Sequence, residues 1–62
     1  MVIVTSTIEW DLPQSDGRRV VREKHIDDAG LEYDFDYIAE SGTDINAKLA
    51  ARATELNNGG IS

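Results

Sequence analysis

The chain has 62 residues, 40% hydrophobic and 29% charged, which is the composition of one small folded domain and argues against a disordered chain. It has no cysteine, which excludes disulfides, cysteine-ligated metals and thiol chemistry, and no apolar run long enough for a membrane span or signal peptide. The net charge of −6 argues against nucleic acid or an anionic membrane as partner. The lack of cysteine fits a reducing compartment, so we expect a cytoplasmic protein.

The first predicted element is a strand over residues 2–10, because this stretch is dense in β-branched side chains. Strict alternation assigns every second residue of a strand to the same face. The face expected to be apolar carries Val2, Val4, Ser6, Ile8 and Trp10. Pro13 and the Asp16–Gly17 pair then predict a break and a turn.

The next two predicted strands, residues 18–26 and 31–38, form a hairpin whose turn sets the register. Gly30 follows Asp27 by three residues, a spacing typical of a three-residue loop with a bulge. Such a turn pairs Asp27 with Leu31, and every later pair of the hairpin follows from this one.

This register predicts what each face of the hairpin carries. The face toward the helix holds Val21, Glu23, His25, Tyr33, Phe35 and Tyr37. The opposite face pairs Lys24 with Asp34 and Arg22 with Asp36. Because opposite charges across a strand pair are stabilising, these pairs favour the register over a slip by one residue.

The C-terminal segment predicts an amphipathic helix of about 14 residues, with Thr43 as the N-cap and a stop signal at residues 57–60. Its apolar stripe consists of Ile45, Leu49, Ala53 and Leu56. Its far side carries Lys48, Arg52 and Glu55.

Together these elements predict an α+β fold: a three-stranded antiparallel β-meander with one C-terminal helix packed on one face, in the order β-β-β-α. We expect the helix on the face that carries Trp10, Tyr33 and Phe35. The domain should span residues 1–58, with residues 59–62 as a flexible tail. The expected core is Val4, Ile8, Trp10, Val21, Leu31, Tyr33, Phe35, Tyr37, Ile45, Leu49 and Leu56.

Two groups of residues are candidates for chemistry. His25, the single histidine, lies two residues from Glu23, a pair that could act in acid–base catalysis or form a half-exposed structural hydrogen bond at the rim of the core. We favour the structural role, because no nucleophile or second ligand accompanies the pair. A calcium loop starting at Asp34 fails, because its sixth position is Ala39 and its twelfth is Ile45. We expect no catalytic residue, metal or cofactor.

Four stretches carry a family resemblance. They are Asp16-Gly17-Arg18-Arg19, Val21-x-Glu23-x-His25-x-Asp27-x-x-Gly30, Tyr37-x-Ala39-x-x-Gly42-x-Asp44 and Leu49-Ala50-Ala51-Arg52. Over residues 10 to 57 the chain resembles short uncharacterised proteins of tailed-phage and prophage genomes. The resemblance implies a phage-derived accessory or virion-associated protein and implies no reaction.

The sequence therefore predicts a non-enzymatic interaction or assembly module that binds a protein partner or a second copy of itself, and neither nucleic acid nor a membrane. So small a core leaves little room for a deep catalytic cleft. The alternative is an acidic inhibitor of a host protein that mimics the charge of nucleic acid. The expected interaction surface is Trp10, Glu23, His25, Tyr33, Asp34 and Asp36.

Overall fold

A computed structural model of the chain describes residues 2–59. Its elements are the strands β1 (Ile3–Pro13), β2 (Arg19–Asp27) and β3 (Glu32–Ala39) and the helix α1 (Ile45–Asn57). The strands form one antiparallel sheet in the order β1-β2-β3, and α1 packs on one of its faces. The predicted β-β-β-α fold is therefore confirmed. Positions 60–62 of the predicted tail lie outside the described residues.

The two faces of the sheet have different surroundings, and we call them the covered face, under α1, and the open face. The covered face of β2 is fully buried and consists of Val21, Glu23, His25 and Asp27. The open face of β2 is half-buried and consists of Val20, Arg22, Lys24 and Ile26. In the β2–β3 register, Arg22 lies opposite Asp36 and Lys24 opposite Asp34, as the sequence predicts.

Both hairpin turns have the same geometry. In the second turn, the N–H of Asp27 donates to the carbonyl of Leu31 at 3.0 Å, and the N–H of Gly30 donates to the carbonyl of Asp27 at 3.0 Å. Gly30 has a φ of 85°, a conformation that glycine adopts without steric cost. This confirms the predicted bulged turn. The first turn repeats it with Gln14, Gly17 and Arg18 in the equivalent places.

β1 does not alternate strictly, because two β-bulges interrupt it. Its pairing with β2 shifts by one residue between Ile3 and Thr5 and again between Ile8 and Trp10. At each place two residues of β1 lie on the same face in succession. Each bulge therefore changes the face on which the following residues lie.

The extra residues at the two bulges are Val4 and Glu9. Ile8 lies between the bulges and packs against the core, as predicted. The prediction that Val4 and Trp10 face the helix is wrong. Val4 is 61% exposed, and Trp10 lies on the open face opposite Arg22.

β1 also continues to Pro13 instead of ending at residue 10. Pro13 is the last residue of an edge strand, where its missing N–H removes no essential ladder hydrogen bond. The strand therefore ends at the first turn, after Pro13, instead of before it.

The apolar core is smaller than the sequence predicts. Its buried apolar members are Val21, Ala39, Ile45 and Leu56. Leu31, predicted in the core, is 59% exposed because it lies beside the second turn. Polar Glu23 and His25, both fully buried, occupy the space between sheet and helix instead.

α1 is capped by Asp44 instead of Thr43. The Asp44 carboxylate accepts a hydrogen bond from the N–H of Ala47 at 3.1 Å, which satisfies a free donor of the first turn. Arg52, predicted on the far side of the helix, reaches the sheet, and only 27% of its side chain is exposed.

Candidate functional site

The open face carries four cross-strand rows of side chains, and no other element of residues 2–59 packs on it. The rows are Leu12–Val20–Ile38, Trp10–Arg22–Asp36, Thr7–Lys24–Asp34 and Thr5–Ile26–Glu32. We call the first the apolar row. In this row Leu12 is 52% exposed and Ile38 61%. Exposed apolar side chains beside a tryptophan and a polar rim are typical of surfaces that bind proteins.

Arg22 lies between Trp10 and Asp36 on this face. Its guanidinium carbon is 4.1 Å from the centre of the Trp10 ring. Its Nε and Nη2 donate to the two carboxylate oxygens of Asp36 at 2.6 and 2.8 Å. These hydrogen bonds lower the pKa of Asp36 and raise that of Arg22. The predicted pair is confirmed, and Trp10 is held by a surface cation instead of by the core.

Lys24 binds two glutamates. Its Nζ lies 3.0 Å from Oε1 of Glu32 and 3.3 Å from Oε1 of Glu9, and hydrogen bonds to both raise the pKa of Lys24. Asp34, which lies directly across from Lys24, makes no ion pair with any residue of 2–59. The predicted ion pair between Lys24 and Asp34 is replaced because the bulge at Glu9 brings a second carboxylate to the ammonium.

The covered face contains a buried hydrogen-bonded network, which we call the polar centre. His25 Nδ1 lies 2.8 Å from Oγ of Ser6, and His25 Nε2 lies 3.1 Å from Oε1 of Glu23. Arg52 Nε donates to the same Oε1 at 3.2 Å, while its guanidinium lies 4.5 Å from the centre of the Phe35 ring. The polar centre therefore ties β1, β2 and α1 together.

Two atoms of the covered face have no hydrogen-bond partner among the described residues. They are Oε2 of Glu23 and the hydroxyl oxygen of Tyr37. Burial, followed by the negative charge of Glu23, raises the pKa of Tyr37. Glu23 is held through one oxygen only, so the polar centre depends on the residues that contact Oε1.

The serine, histidine and glutamate of the polar centre resemble a catalytic triad in composition only. In serine hydrolases Nε2 of histidine contacts the serine and Nδ1 the acid. Here Ser6 lies at Nδ1 and Glu23 at Nε2, the reverse arrangement. His25 and Glu23 are both inaccessible to solvent, so a substrate does not reach the imidazole in this conformation. The expected His25–Glu23 hydrogen bond is present, but it is fully buried where half exposure was predicted.

Asp27 closes the second turn with its side chain. Its Oδ1 accepts from the N–H groups of Ala29 and Leu31, both at 2.9 Å, and its Oδ2 accepts from the hydroxyl of Tyr33 at 2.8 Å. The hydrogen bond from Tyr33, followed by that from Leu31, lowers the pKa of Asp27. The same bond to Asp27 raises the pKa of Tyr33.

The six residues predicted as an interaction surface are divided between the faces. Trp10, Asp34 and Asp36 lie together on the open face. Tyr33 is half-buried on the covered face, where Glu23 and His25 are fully buried. Sequence reasoning missed the apolar row, although the alternation of residues 18–26 and 31–38 already places Val20 and Ile38 on one face. It also missed the contact of Arg52 with Glu23, which joins residues 29 positions apart.

The remaining features of the described part of the chain are few. No three His, Asp or Glu side chains among residues 2–59 converge as a metal site requires. A shallow depression of about 140 Å³ beside α1 is lined by Lys48, Ala51, Arg52 and Glu55. The helix described here is too short and too polar to cross a bilayer.

Comparisons of the chain with protein-family models, curated proteins and solved structures gave no match.

Proposed function

We propose that the protein is a non-enzymatic assembly module, derived from a phage or prophage as an accessory or virion-associated protein, that binds a second copy of itself through the open face. The observation that carries the proposal is the apolar row beside Trp10 on a face without a second layer. In a two-fold symmetric dimer a patch contacts its own equivalent, and an apolar row is complementary to itself.

The shape of the chain supports a second copy as the partner of the open face. Its radius of gyration is 12.2 Å, whereas a compact chain of this length is expected to have roughly 10.6 Å. The principal extents are 38 × 18 × 17 Å, so the excess comes from elongation along one axis, which exposes more surface than a compact shape does. A stable fold usually buries both faces of a sheet that carries apolar residues on both. A second copy on the open face would supply the missing layer.

The charges of the open face are compatible with this contact. Both of its cations, Arg22 and Lys24, already pair with carboxylates of the same chain. The net charge of −6 on each copy opposes association at long range, and salt screens this repulsion. We therefore expect the dimer to become tighter as the salt concentration rises.

The alternative, an acidic mimic of nucleic acid, needs a continuous row of uncompensated carboxylates. Asp36, Glu32 and Glu9 are each bound to a lysine or arginine of the same face. These pairs weaken the field that a basic site would recognise. A charge mimic would lose its partner at high salt, which is the opposite of the behaviour expected for the dimer.

The test is sedimentation velocity from micromolar to millimolar concentration with two matched variants. Leu12→Asp places a charge in the apolar row, and Leu31→Asp places the same charge on a leucine of similar exposure beside the second turn. We expect the parent and Leu31→Asp to dimerise and Leu12→Asp to remain monomeric. A blue shift of Trp10 fluorescence should accompany association. A strict monomer throughout, or equal association of both variants, would disprove the assignment.

The proposed origin has a separate test in the genes that flank this one. Capsid or tail genes would support a virion role. A setting of chromosomal housekeeping genes would contradict a phage origin and would leave the result on self-association unaffected.

A further inference from the structure

The two edges of the sheet differ in how they are protected. β1 is interrupted by two bulges and ends in Pro13, and the N–H of Ile3 is already bound by the side-chain oxygen of Asn57 at 2.6 Å. Bulges, proline and covering groups are the usual means of preventing strand addition at an edge. β3 has eight residues in unbroken register, with no bulge, proline or lysine. Its edge is therefore the one that can accept another strand.

The register identifies which backbone groups of β3 point away from the sheet. The N–H of Asp27 donates to the carbonyl of Leu31, and hydrogen-bonded pairs alternate along an antiparallel ladder. Tyr33, Phe35 and Tyr37 thus direct their N–H and C=O groups to β2. The residues between them, Glu32, Asp34, Asp36 and Ile38, direct theirs outward, and their side chains lie on the open face.

We propose that the β3 edge binds an extended segment of a partner protein in which lysine or arginine alternates with apolar residues, by adding it to the sheet as an antiparallel strand. Residues opposite the outward-directed positions would place their side chains beside Asp34 and Asp36. The residues between would lie on the covered face beside Tyr33, Phe35 and Tyr37, which are all half-buried. Backbone hydrogen bonds would supply affinity and the alternating side chains specificity.

On its other side, β3 already pairs with a strand in which cations alternate with other residues. β2 presents Arg22 and Lys24 at alternate positions across from Asp36 and Asp34, and Arg22 binds Asp36 through two hydrogen bonds. A carboxylate has lone pairs for further donors, so Asp36 can accept a second cation from the outer side. Asp34 lies near the charge of Arg22 but makes no ion pair among residues 2–59, so its carboxylate can accept a cation from the outer side.

The same charges discriminate against the wrong partner. Pairing of two β3 edges would set the carboxylates of one copy beside those of the other, and like charges directly opposite are destabilising. The edge therefore repels its own copy while it attracts a basic strand. The β3 edge shares Asp34 and Asp36 with the open face. Strand addition does not require the open-face dimer, so failure of either test leaves the other unaffected.

The experiment uses the full chain and a synthetic peptide, acetyl-Thr-Lys-Val-Arg-Val-Lys-Thr-amide. Its control, acetyl-Thr-Val-Val-Lys-Arg-Lys-Thr-amide, has the same composition without the alternation. Isothermal titration measures Kd, and amide exchange by NMR locates the contact. We expect the alternating peptide to bind at least about tenfold more tightly than the control. Only in the alternating peptide can all three cations lie on the open face, beside Asp34 and Asp36.

Three variants separate charge from backbone. Asp34→Asn should weaken binding by about fivefold, and Asp34→Pro, which also removes an outward N–H, should abolish it. Asp28→Asn, an equal change of charge in the exposed second turn, should leave Kd within about twofold. Circular dichroism checks that each variant is folded. Asp34→Asn keeps the proposal testable if the proline variant does not fold.

Peptide binding should slow the exchange of the amides of Asp34 and Asp36, while those of Tyr33 and Phe35, already bound to β2, should not change. Equal affinity for both peptides, or protection elsewhere than at β3, would overturn the proposal. So would a lack of binding at millimolar peptide.

Discussion

Replacing His25 by alanine tests the view that the polar centre holds the fold together. The ring is fully buried, hydrogen-bonded to Ser6 and Glu23, and packed edge-on against Phe35 with centroids 5.8 Å apart. The variant leaves Glu23 with Arg52 as its single partner and leaves Ser6 without one. It also opens a cavity between the sheet and α1.

The expected loss can be estimated from these contacts. A buried group deprived of its hydrogen-bond partner costs about 1–3 kcal/mol, and a lost aromatic pair a further ~0.5–1.5 kcal/mol. The free energy of unfolding should thus fall by about 3 kcal/mol, close to the ~3–5 kcal/mol that a core of this size supplies. We expect His25→Ala to keep only ~0–2 kcal/mol of this stability and to unfold at a much lower urea concentration.

Urea denaturation followed by circular dichroism measures this loss. Ser6→Ala is the matched variant, because it removes a single hydroxyl from the same network and should cost about 1 kcal/mol. In the double variant the two losses should not add, since both break the bond between Ser6 and His25. A cost below about 1 kcal/mol for His25→Ala would refute a structural role for the polar centre.

Three further predictions concern the turn and the helix. The pKa of Asp27 is lowered in the fold, so its contribution to stability is present above its ordinary value of 3.8 and is lost as the pH falls below it. Asp27→Asn should therefore reduce the loss of stability at acid pH, measured by urea unfolding at several pH values. An unchanged loss would contradict the role of Tyr33 as donor. Gly30→Ala should cost about 1–2 kcal/mol in the same assay through left-handed strain alone, because no atom lies within 4 Å of the added Cβ; a neutral effect would contradict this geometry. Asp44→Ala should cost about 1 kcal/mol by thermal melting and Thr43→Ala much less, whereas the reverse order would restore Thr43 as the cap.

Much of the fold could be predicted because local signals agreed with each other. Gly30 determined the second turn, the turn determined the register of β2 and β3, and the charges of Arg22 and Asp36 supported it. A glycine three residues after a turn-forming residue specifies the turn, and with it the register, more narrowly than the hydrophobic pattern does. The faces of Glu23 and His25 followed from this register without knowledge of the helix.

The faces of β1 could not be predicted, because a bulge has no signature in a run of β-branched residues. Alternation assigned Trp10 to the core, and the shift at Glu9 moved it to the open face. The sequence therefore does not show that Trp10 and Leu12 lie on the open face beside Val20 and Ile38. The contact between Arg52 and Glu23 was equally hidden, since a pattern within α1 does not tell which long side chain bends back to the sheet.

The bulge at Glu9 has a consequence for which changes in length the chain can accept. Ile8 and Trp10 already pair with Glu23 and Arg22, which are neighbours along β2. If Glu9 were deleted, β1 would become regular from Thr5 onward with every remaining side chain on its present face, and only one carboxylate beside Lys24 would be lost. A deletion at Thr7, by contrast, would invert part of the strand. Related chains one residue shorter in β1 should therefore carry their gap at Glu9 or at Val4, the extra residue of the other bulge, and alignments that place it elsewhere would misassign the core.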